Sequence, residues 1–191
     1  MAKNILLVGV GGQGTILASK ILSLGLTTAN YDVKMSEIHG MSQRGGSVTS
    51  HIRFDKDKVY SPVVELGDAD IIVAFEKMEA LRYLDYLKKD GKVVVNDYEI
   101  PGMPITSGVC DYPKGIIEEI KAHRDVIVVD ATAEANKLGN AKITNMILLG
   151  TLIGKMKLTD IDWDTIIAQN VKPQFVELNK KALRRGIELA E

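Results

Sequence analysis

Residues 3–14, KNILLVGVGGQG, join an apolar run to a glycine-rich turn, and this stretch decides the fold. The uninterrupted apolar run at residues 5–8 is typical of a strand that is buried on both faces of a parallel sheet. Gly9, Gly11 and Gly14 follow with the spacing G-x-G-x-x-G. Glycines at this spacing allow a tight bend and a close backbone approach to a phosphate, and the helix that follows offers free N–H groups to an anion. The stretch predicts a strand–turn–helix unit that opens an α/β fold.

The glycine spacing by itself leaves two interpretations open. It fits a phosphate-binding turn, and it equally fits any tight strand-to-helix corner that holds no ligand. A dinucleotide site also needs an acidic residue about 20 residues further on, at the end of the second strand. Asp32 opens the predicted second strand and Glu37 lies too far along, so the pattern argues against NAD.

Composition predicts one globular domain over residues 1–191 and sets limits on its partners. Hydrophobic residues make up 46% and charged residues 26%, and 24 Lys and Arg stand against 25 Asp and Glu. This balance provides no basic surface for nucleic acid or for a membrane. The apolar stretch after Lys3 is too short for a membrane span or a signal peptide, so we expect a cytoplasmic protein.

Cys110 is the only cysteine. A disulfide within the chain is therefore excluded, and so is an iron–sulfur cluster held by this chain alone, because such clusters need about four thiolates. Any redox centre of this kind must lie on another chain. For Cys110 itself, packing as a small hydrophobe at a strand end is favoured over a role as a catalytic nucleophile.

Hydrophobic periodicity predicts alternating strands and helices, and then helices alone. After the first unit, strands are expected at residues 32–38, 47–54, 70–75, 92–96 and 125–130. Helices are expected at residues 16–30, 77–87, 116–123, 132–138, 143–156, 164–170 and 173–189, with Gly91 ending the second of them. The strand at 47–54 alternates with period two and is expected to form a hairpin, through the polar turn FDKDKVYS, with a short strand after it.

The predicted fold class is therefore α/β: a Rossmann-like open, mostly parallel sheet with helices on both faces, an inserted β-hairpin and a helical C-terminal cap. Residues 143–153, ITNMILLGTLI, are apolar around most of a helix circumference. Such a helix must be buried, and core packing is favoured over a contact with another subunit.

The most unusual stretch is the polar loop at residues 36–47, SEIHGMSQRGGS. It follows the second strand, and ligands bind beyond the carboxyl ends of such strands, so the loop is expected beside the glycine turn. Arg44 has the geometry to hold a phosphate or carboxylate, and Gly45 and Gly46 offer N–H groups. The alternative is that Arg44 pairs with Glu37 or Asp97 and the glycines only turn the chain.

A metal site is not expected in this region. His39, His51 and Glu37 are present, but neither H-x-x-H nor H-E-x-x-H spacing occurs.

Four stretches together resemble the gamma-type domain of the 2-oxoacid:ferredoxin oxidoreductases. They are VGVGGQG at residues 8–14, SEIHGMSQRGGSVTSHIR at 36–53, DATAEANKLGN at 130–140 and TNMILLGTL at 144–152. The likeness covers nearly the whole chain without a departure from the family pattern. The version HGMSQRGG is most similar to the small, beta subunits of the members that act on indolepyruvate.

The resemblance implies a subunit that is not active alone. In this family a large, alpha partner subunit is understood to carry thiamine diphosphate, Mg and [4Fe–4S] clusters. The complex converts arylpyruvates and coenzyme A to arylacetyl-CoA and reduces ferredoxin. The small subunit binds none of these cofactors alone and supplies no catalytic residue; it positions and shields the site.

The resemblance also implies where the chain faces its partner. We expect the glycine turn and the polar loop to close over the coenzyme A or 2-oxoacid site, or to contact the large subunit. The candidate contact residues are Gly9, Gly11, Gly12, Gln13, Gly14, Gln43, Arg44, Gly45 and Gly46.

Three alternatives stay open from the sequence. The chain is also compatible with the gamma subunit of a sibling enzyme for 2-oxoglutarate, pyruvate or 2-oxoisovalerate. A free-standing nucleotide-binding dehydrogenase is a rival from another class, and a non-catalytic assembly subunit with an empty glycine turn is a third. A homo-oligomer of the isolated chain, formed through the surface that its partner would cover, is also compatible with the sequence.

Overall fold

The structure is a computed structural model, and it describes residues 2–40 and 45–190. The strands are β1 (Lys3–Val10), β2 (Asp32–His39), β3 (Ser47–Asp55), β4 (Ala69–Ala74), β5 (Leu87–Asn96) and β6 (Asp125–Val129). The helices are α1 (Thr15–Thr28), α2 (Lys77–Arg82), α3 (Met103–Thr106), α4 (Ile116–His123), α5 (Ala131–Lys137), α6 (Thr144–Lys155), α7 (Trp163–Asn170) and α8 (Val176–Glu188). Short 3₁₀ turns lie at Leu84–Tyr86, Ala141–Ile143 and Pro173–Phe175.

The described strands form one open sheet in the order β2-β3-β1-β4-β5-β6. β1, β4, β5 and β6 are parallel, whereas β3 runs antiparallel to both of its neighbours. The seven residues of β1 after Lys3 are buried, as the continuous apolar run predicted. The predicted α/β class, with a mostly parallel sheet, is confirmed.

The hairpin is formed by different strands from those predicted. β3 pairs along its length with β2, with Asp32 opposite Asp55 and His39 opposite Val48. The expected short strand after Asp55 is absent, because residues 56–68 contain no strand. Side chains hold that segment instead: the Val59 N–H donates to Asp32 Oδ2 (2.8 Å), and Arg53 donates to the Val63 carbonyl (3.2 Å).

The second predicted helix is also shorter than its pattern indicated. α2 ends at Arg82, and a 3₁₀ turn leads directly into β5 at Leu87, so Gly91 lies inside a strand and does not end a helix. The pairing of β5 with β4 shifts register between Ala69 and Ile71. A Cβ on Gly91 would lie 2.9 Å from the Ala69 carbonyl oxygen, so glycine allows this close contact.

Helices cover both faces of the sheet and build two apolar layers. α1 and the C-terminal helices α5 to α8 pack with one face, while α2 and α4 pack with the other. α6 is buried from Asn145 to Ile153, so the prediction of core packing for this apolar helix is confirmed. α8 crosses α6 so closely that a Cβ on Gly186 would lie 2.0 Å from the Ile147 carbonyl oxygen.

Candidate functional site

The candidate site lies at the carboxyl edge of the sheet, between β1 and β4. The chain leaves β1 toward β2 and β3 on one side, and it later continues through β4, β5 and β6 on the other side. A crevice forms where the chain direction divides in this way, and open α/β sheets bind ligands at such positions. The glycine turn follows β1 at this point.

The structure explains why the glycine turn needs glycine at three positions. Gly12 and Gly14 have φ values of +100° and +80°, which L side chains rarely adopt. Gly9 lies inside β1, and a Cβ there would lie 3.0 Å from Phe75 Cβ at the end of β4. On Gly14 a Cβ would meet the Asn145 amide nitrogen of α6 at 2.7 Å. Close packing therefore requires glycine at positions 9 and 14, and backbone conformation favours it at positions 12 and 14.

Gln13 connects the ends of two neighbouring strands. Its Oε1 accepts a hydrogen bond from the Val10 N–H (2.8 Å), and its Nε2 donates to the Phe75 carbonyl (2.8 Å). Sequence reasoning placed Gln13 among the contact residues but did not predict these backbone partners. In this chain the side chain fixes the shape of the turn from inside.

The polar loop joins β2 to β3 and is the hairpin loop of the structure; we call the point where it enters β3, at Gly45 to Ser47, the hairpin base. This loop contacts the glycine turn, as the sequence predicted. The Gly11 N–H donates to the Gly46 carbonyl (2.9 Å), and the Gly40 N–H donates to the Ser47 carbonyl (3.1 Å) at the hairpin base. Gly45 has a φ of +87°. The structure therefore brings Gly45 and Gly46 to the turn, whereas Gln43 and Arg44 lie outside the described residues.

Two clefts adjoin the glycine turn. One, of about 370 Å³, lies over the ends of β4 and β5; it is lined by Gly12, Gln13, Gly14, Phe75, Asn96, Tyr98, Thr132, Ala141, Lys142 and Thr144. The other, of about 650 Å³, lies between the start of α1 and the end of β2; it is lined by Gly11, Gly12, Gly14, Thr15, Ile16, His39, Gly40 and Val48.

The groups in these clefts suit an anionic ligand. α1 begins after Gly14, which has no side chain to cap it, and its first turn contains no acidic residue. The first N–H groups of α1 therefore carry partial positive charge and face no competing carboxylate from that turn. Lys142 contributes a cation to the smaller cleft. The arrangement is able to bind a phosphate or a carboxylate.

Asn96 is a site residue that sequence reasoning missed. It is fully buried at the end of β5, and its Nδ2 donates to the Phe75 carbonyl (3.2 Å) and to Thr132 Oγ1 (3.2 Å). Its Oδ1 accepts from the Ala131 N–H at the start of α5 (3.0 Å). The available signal was an amide that ends an otherwise apolar strand, a position that faces the ligand edge in this class of sheet.

A buried carboxylate fixes the base of the hairpin from the other side. Glu79 of α2 is 5% exposed; it accepts a hydrogen bond from the Ser47 hydroxyl and one from Arg82 Nε (3.1 Å). The Tyr83 hydroxyl lies 3.2 Å from Ser47 Oγ. These contacts position Ser47, which directly follows the glycine pair. Sequence analysis did not single out Glu79, because its helix carries several charges.

The histidines near the site have separate roles. His51 is buried, its Nδ1 accepts from the Val64 N–H (3.1 Å), and burial lowers its pKa, so the ring is neutral. Glu37 accepts from the Ser19 hydroxyl (2.8 Å) and lies 3.8 Å from His39 Nε2. Within residues 2–40 and 45–190, no group of three or more His, Cys, Asp or Glu is placed to hold a metal ion.

Cys110 is not packed at a strand end, and that prediction was wrong. It is exposed, in the connection between β5 and α4, and its N–H lies 3.4 Å from the Pro104 carbonyl. The connection turns back over α3 without entering the core, so its apolar side chains remain at the surface.

None of the helices in the described part of the chain is long and apolar enough to cross a membrane.

The fold and the site define an open α/β domain with a glycine-rich turn at the point where the sheet divides. Residues 4–189 match the pyruvate ferredoxin/flavodoxin oxidoreductase family, and the chain belongs to this family. It is 38% identical to the indolepyruvate oxidoreductase subunit IorB of Thermococcus kodakarensis and 39% identical to that of Pyrococcus horikoshii. Each comparison covers 98% of this chain and 96% of the relative. Identity to the 2-oxoglutarate synthase subunit KorC of Methanothermobacter marburgensis is 29%, over 99% of this chain and 97% of that one.

Solved structures share the fold. A keto/oxoacid ferredoxin oxidoreductase gamma subunit from Geobacter sulfurreducens aligns with a TM-score of 0.72 at 22% identity, over 98% of both chains. The 2-oxoglutarate:ferredoxin oxidoreductase of Magnetococcus marinus, solved with 2-oxoglutarate, coenzyme A and succinyl-CoA bound, aligns with a TM-score of 0.79 at 18% identity. The alignment covers 99% of this chain but 31% of that longer chain. The resemblance stated from sequence motifs is thus confirmed at the level of the family and the fold.

Proposed function

We propose that this chain is the small subunit of an indolepyruvate:ferredoxin oxidoreductase. The complex would decarboxylate indolepyruvate and related arylpyruvates, transfer the product to coenzyme A and reduce ferredoxin. The observation that carries the proposal is the order of identities: 38–39% to the two indolepyruvate oxidoreductase subunits against 29% to the 2-oxoglutarate synthase subunit, all over nearly full length. A gamma subunit of a sibling enzyme is the second candidate, favoured only by the shared family.

The cofactors of the complex are assigned to the large, alpha partner subunit. Thiamine diphosphate stabilises a carbanion, and iron–sulfur clusters accept single electrons. This chain has one cysteine, and a [4Fe–4S] cluster needs about four thiolates, so the clusters must be held elsewhere. The same partner would hold thiamine diphosphate and Mg. The small subunit then contributes binding, orientation and exclusion of water.

The carboxyl edge of the sheet is the part of the chain proposed to close over the substrates. The bond between Gly11 and Gly46 makes the glycine turn and the hairpin loop one continuous surface. The free N–H groups at the start of α1 and the Lys142 cation suit the phosphates of coenzyme A or the carboxylate of the 2-oxoacid. Gln43 and Arg44, in the same loop, are proposed as polar contacts with substrate or with the large subunit.

The first experiment tests the assignment itself. The chain is co-expressed with its candidate large subunit, purified without oxygen and assayed for ferredoxin or viologen reduction. Indolepyruvate, 2-oxoglutarate and pyruvate are compared, each with coenzyme A. We expect activity that needs both chains and prefers indolepyruvate. Preference for another 2-oxoacid would favour the sibling enzyme, and lack of association would refute the proposal. NAD(P)H binding by the isolated chain would favour the dehydrogenase.

The second experiment tests the loop. Arg44→Ala in the complex should raise the KM for coenzyme A or for the 2-oxoacid, because a bidentate cation for an anionic group is lost. Lys121→Ala, in the last turn of α4, removes a cation from a different element and serves as the matched control. Unchanged KM values for both substrates with Arg44→Ala would mean that the loop has a structural role only.

Three further expectations belong to the same proposal. Residues 1–191 act as a single gamma-type domain, the complex resides in the cytoplasm, and the isolated chain is inactive without its partner. The isolated subunit also has the option of self-association through the surface that the large subunit covers in the complex. Assay of the isolated chain for ferredoxin reduction tests its inactivity, and size-exclusion chromatography of the chain alone and of the complex tests its self-association.

A further inference from the structure

The connection between β5 and α4 contains an uncharged, exposed segment. Residues 100–110, IPGMPITSGVC, include no acidic or basic side chain, although Glu99 precedes them and Asp111 follows. Apolar side chains in this segment face solvent: Met103 is 82% exposed and Val109 is 79% exposed. We call residues 100–110 the apolar arm.

A single buried carboxylate oxygen accepts hydrogen bonds from both ends of the apolar arm. Glu76, just before α2, is 1% exposed, and its Oε1 accepts hydrogen bonds from the Ile100 N–H (3.2 Å) and from the Tyr112 hydroxyl. Its other oxygen accepts from the Glu79 N–H (3.0 Å). Burial and the bond to Glu76 raise the pKa of Tyr112 far above its ordinary value, so the phenol keeps its proton and donates.

This construction fixes an exposed apolar surface in one shape. Burying a carboxylate is costly unless several donors satisfy it, and here three donors do so. An arm without a function at the surface does not need such an anchor, whereas a binding surface that is ordered in advance loses less entropy when its partner arrives. A contiguous apolar patch that is exposed on a protein surface is typical of an interaction surface.

The apolar arm lies beside the candidate site. A cleft of about 460 Å³ separates it from the hairpin base; the arm contributes Ile100, Gly102, Pro104, Ile105 and Cys110 to its wall, and the hairpin base contributes Gly45 and Ser47. The arm and the hairpin therefore form neighbouring parts of one surface at the carboxyl edge of the sheet.

We infer that the apolar arm is a docking surface for the large subunit, an inference that rests on the proposed function. Stable interfaces use roughly 20–30 residues on each side. The arm alone supplies a fraction of such a patch, and the neighbouring hairpin base extends it along the same edge of the sheet, as an interface with a large subunit requires.

Charge also identifies the occupant. Acidic side chains border the arm on both sides, at Asp97, Glu99 and Asp111, and Lys77 pairs with the first two of these. The cleft that these residues line also contains Lys114 and Glu118, so its four carboxylates and two ammonium groups leave a net charge of minus two. The complementary surface is apolar at its centre and basic at its rim. A second copy of this chain fits poorly, because a two-fold contact through the arm would place the acidic borders against each other.

The experiment measures subunit association directly. Met103→Asp and Val109→Asp are each prepared in the full-length chain, and the Kd for the separately purified large subunit is measured for each variant without oxygen. Tyr60→Asp, at a side chain that is 85% exposed before β4, is the matched control. Because all three side chains are exposed, thermal unfolding of the isolated variants should match the parent chain. We expect both arm variants to raise the Kd about tenfold or more, and the control to leave it unchanged.

The outcomes separate this inference from the proposed function. If the parent chain does not bind the large subunit, the proposed function fails. If the parent chain binds and both arm variants bind equally well, the docking inference alone is overturned. A dimer of the isolated chain that Met103→Asp dissociates, with normal binding to the large subunit, would assign the arm to a second copy and would also overturn it.

Discussion

The bond between Ser47 and Glu79 fixes the base of the hairpin, and its strength can be measured. Ser47 is half-buried at the start of β3 and donates its hydroxyl to a carboxylate that is 5% exposed. We consider Ser47→Ala, Glu79→Gln and the double variant. The first removes the donor, and the second removes the charge while it keeps an acceptor oxygen of similar size.

The contacts of Ser47 and Glu79 give the loss of folding stability expected for each variant. A hydrogen bond to a charged group contributes about 1.5–3 kcal/mol to stability. Arg82 still satisfies Glu79 after Ser47→Ala, so we expect a loss near the lower end, about 1.5 kcal/mol. The Arg82 side chain is 54% exposed, and its pairing therefore adds little to the cost of Glu79→Gln, for which we expect about 1–2 kcal/mol.

The assay is urea unfolding of the full-length chain, followed by circular dichroism, for all four members of the cycle. Because the two side chains contact each other, the losses should not add, and we expect a coupling energy of about 1 kcal/mol. Ser107→Ala, on the exposed hydroxyl after α3, is the control and should couple with Glu79→Gln by less than about 0.5 kcal/mol. If Ser47→Ala and Glu79→Gln were additive within that limit, the bond would not stabilise the hairpin base and our reasoning would be refuted.

Three more outcomes follow from close contacts and from burial. Gly14→Ala should lower the free energy of unfolding by about 2 kcal/mol, because its φ is +80° and a Cβ would lie 2.7 Å from the Asn145 side-chain amide of α6. Gly12→Ala, with open space around it, is the control and should lower the free energy of unfolding by only about 1 kcal/mol. Equal losses for the two variants would disprove the contact with Asn145. Gly186→Ala should cost about 3 kcal/mol or more in the same urea assay, since a Cβ would lie 2.0 Å from a backbone oxygen, and a loss below 1 kcal/mol would be incompatible with this packing. Burial lowers the pKa of His51, so the unfolded chain takes up a proton at this residue before the folded chain does as the pH falls. The contribution of His51 to the free energy of unfolding is therefore fully present above about pH 6.5. Below this pH the free energy of unfolding decreases, by at most about 1.4 kcal/mol per pH unit for this group. His51→Gln should reduce this slope relative to the parent chain, as pH-dependent unfolding will show, and an unchanged slope would contradict the assignment to His51.

The amino-acid sequence determined the local elements and much of the site. The apolar run of β1 predicted a buried strand, and the stretch at 143–153, apolar around most of a helix circumference, predicted a core helix; both are confirmed. The glycine spacing predicted a tight turn, and the motif at 36–53 indicated the family. These features are readable because periodicity and burial are recorded in consecutive residues.

Only the tertiary structure decided which elements meet. β3 lies between β1 and β2, although nothing in its alternating pattern distinguishes that neighbour from a strand after it. Gln13 bonds to Phe75, 62 residues away, and Glu76 joins Ile100 to Tyr112, 24 and 36 residues further along the chain. Buried polar groups must find partners, but the sequence does not state which backbone will pass beside them. That choice is made by the packing of whole helices and strands, because a hydrogen bond forms only where the folded chain places donor and acceptor within about 3 Å.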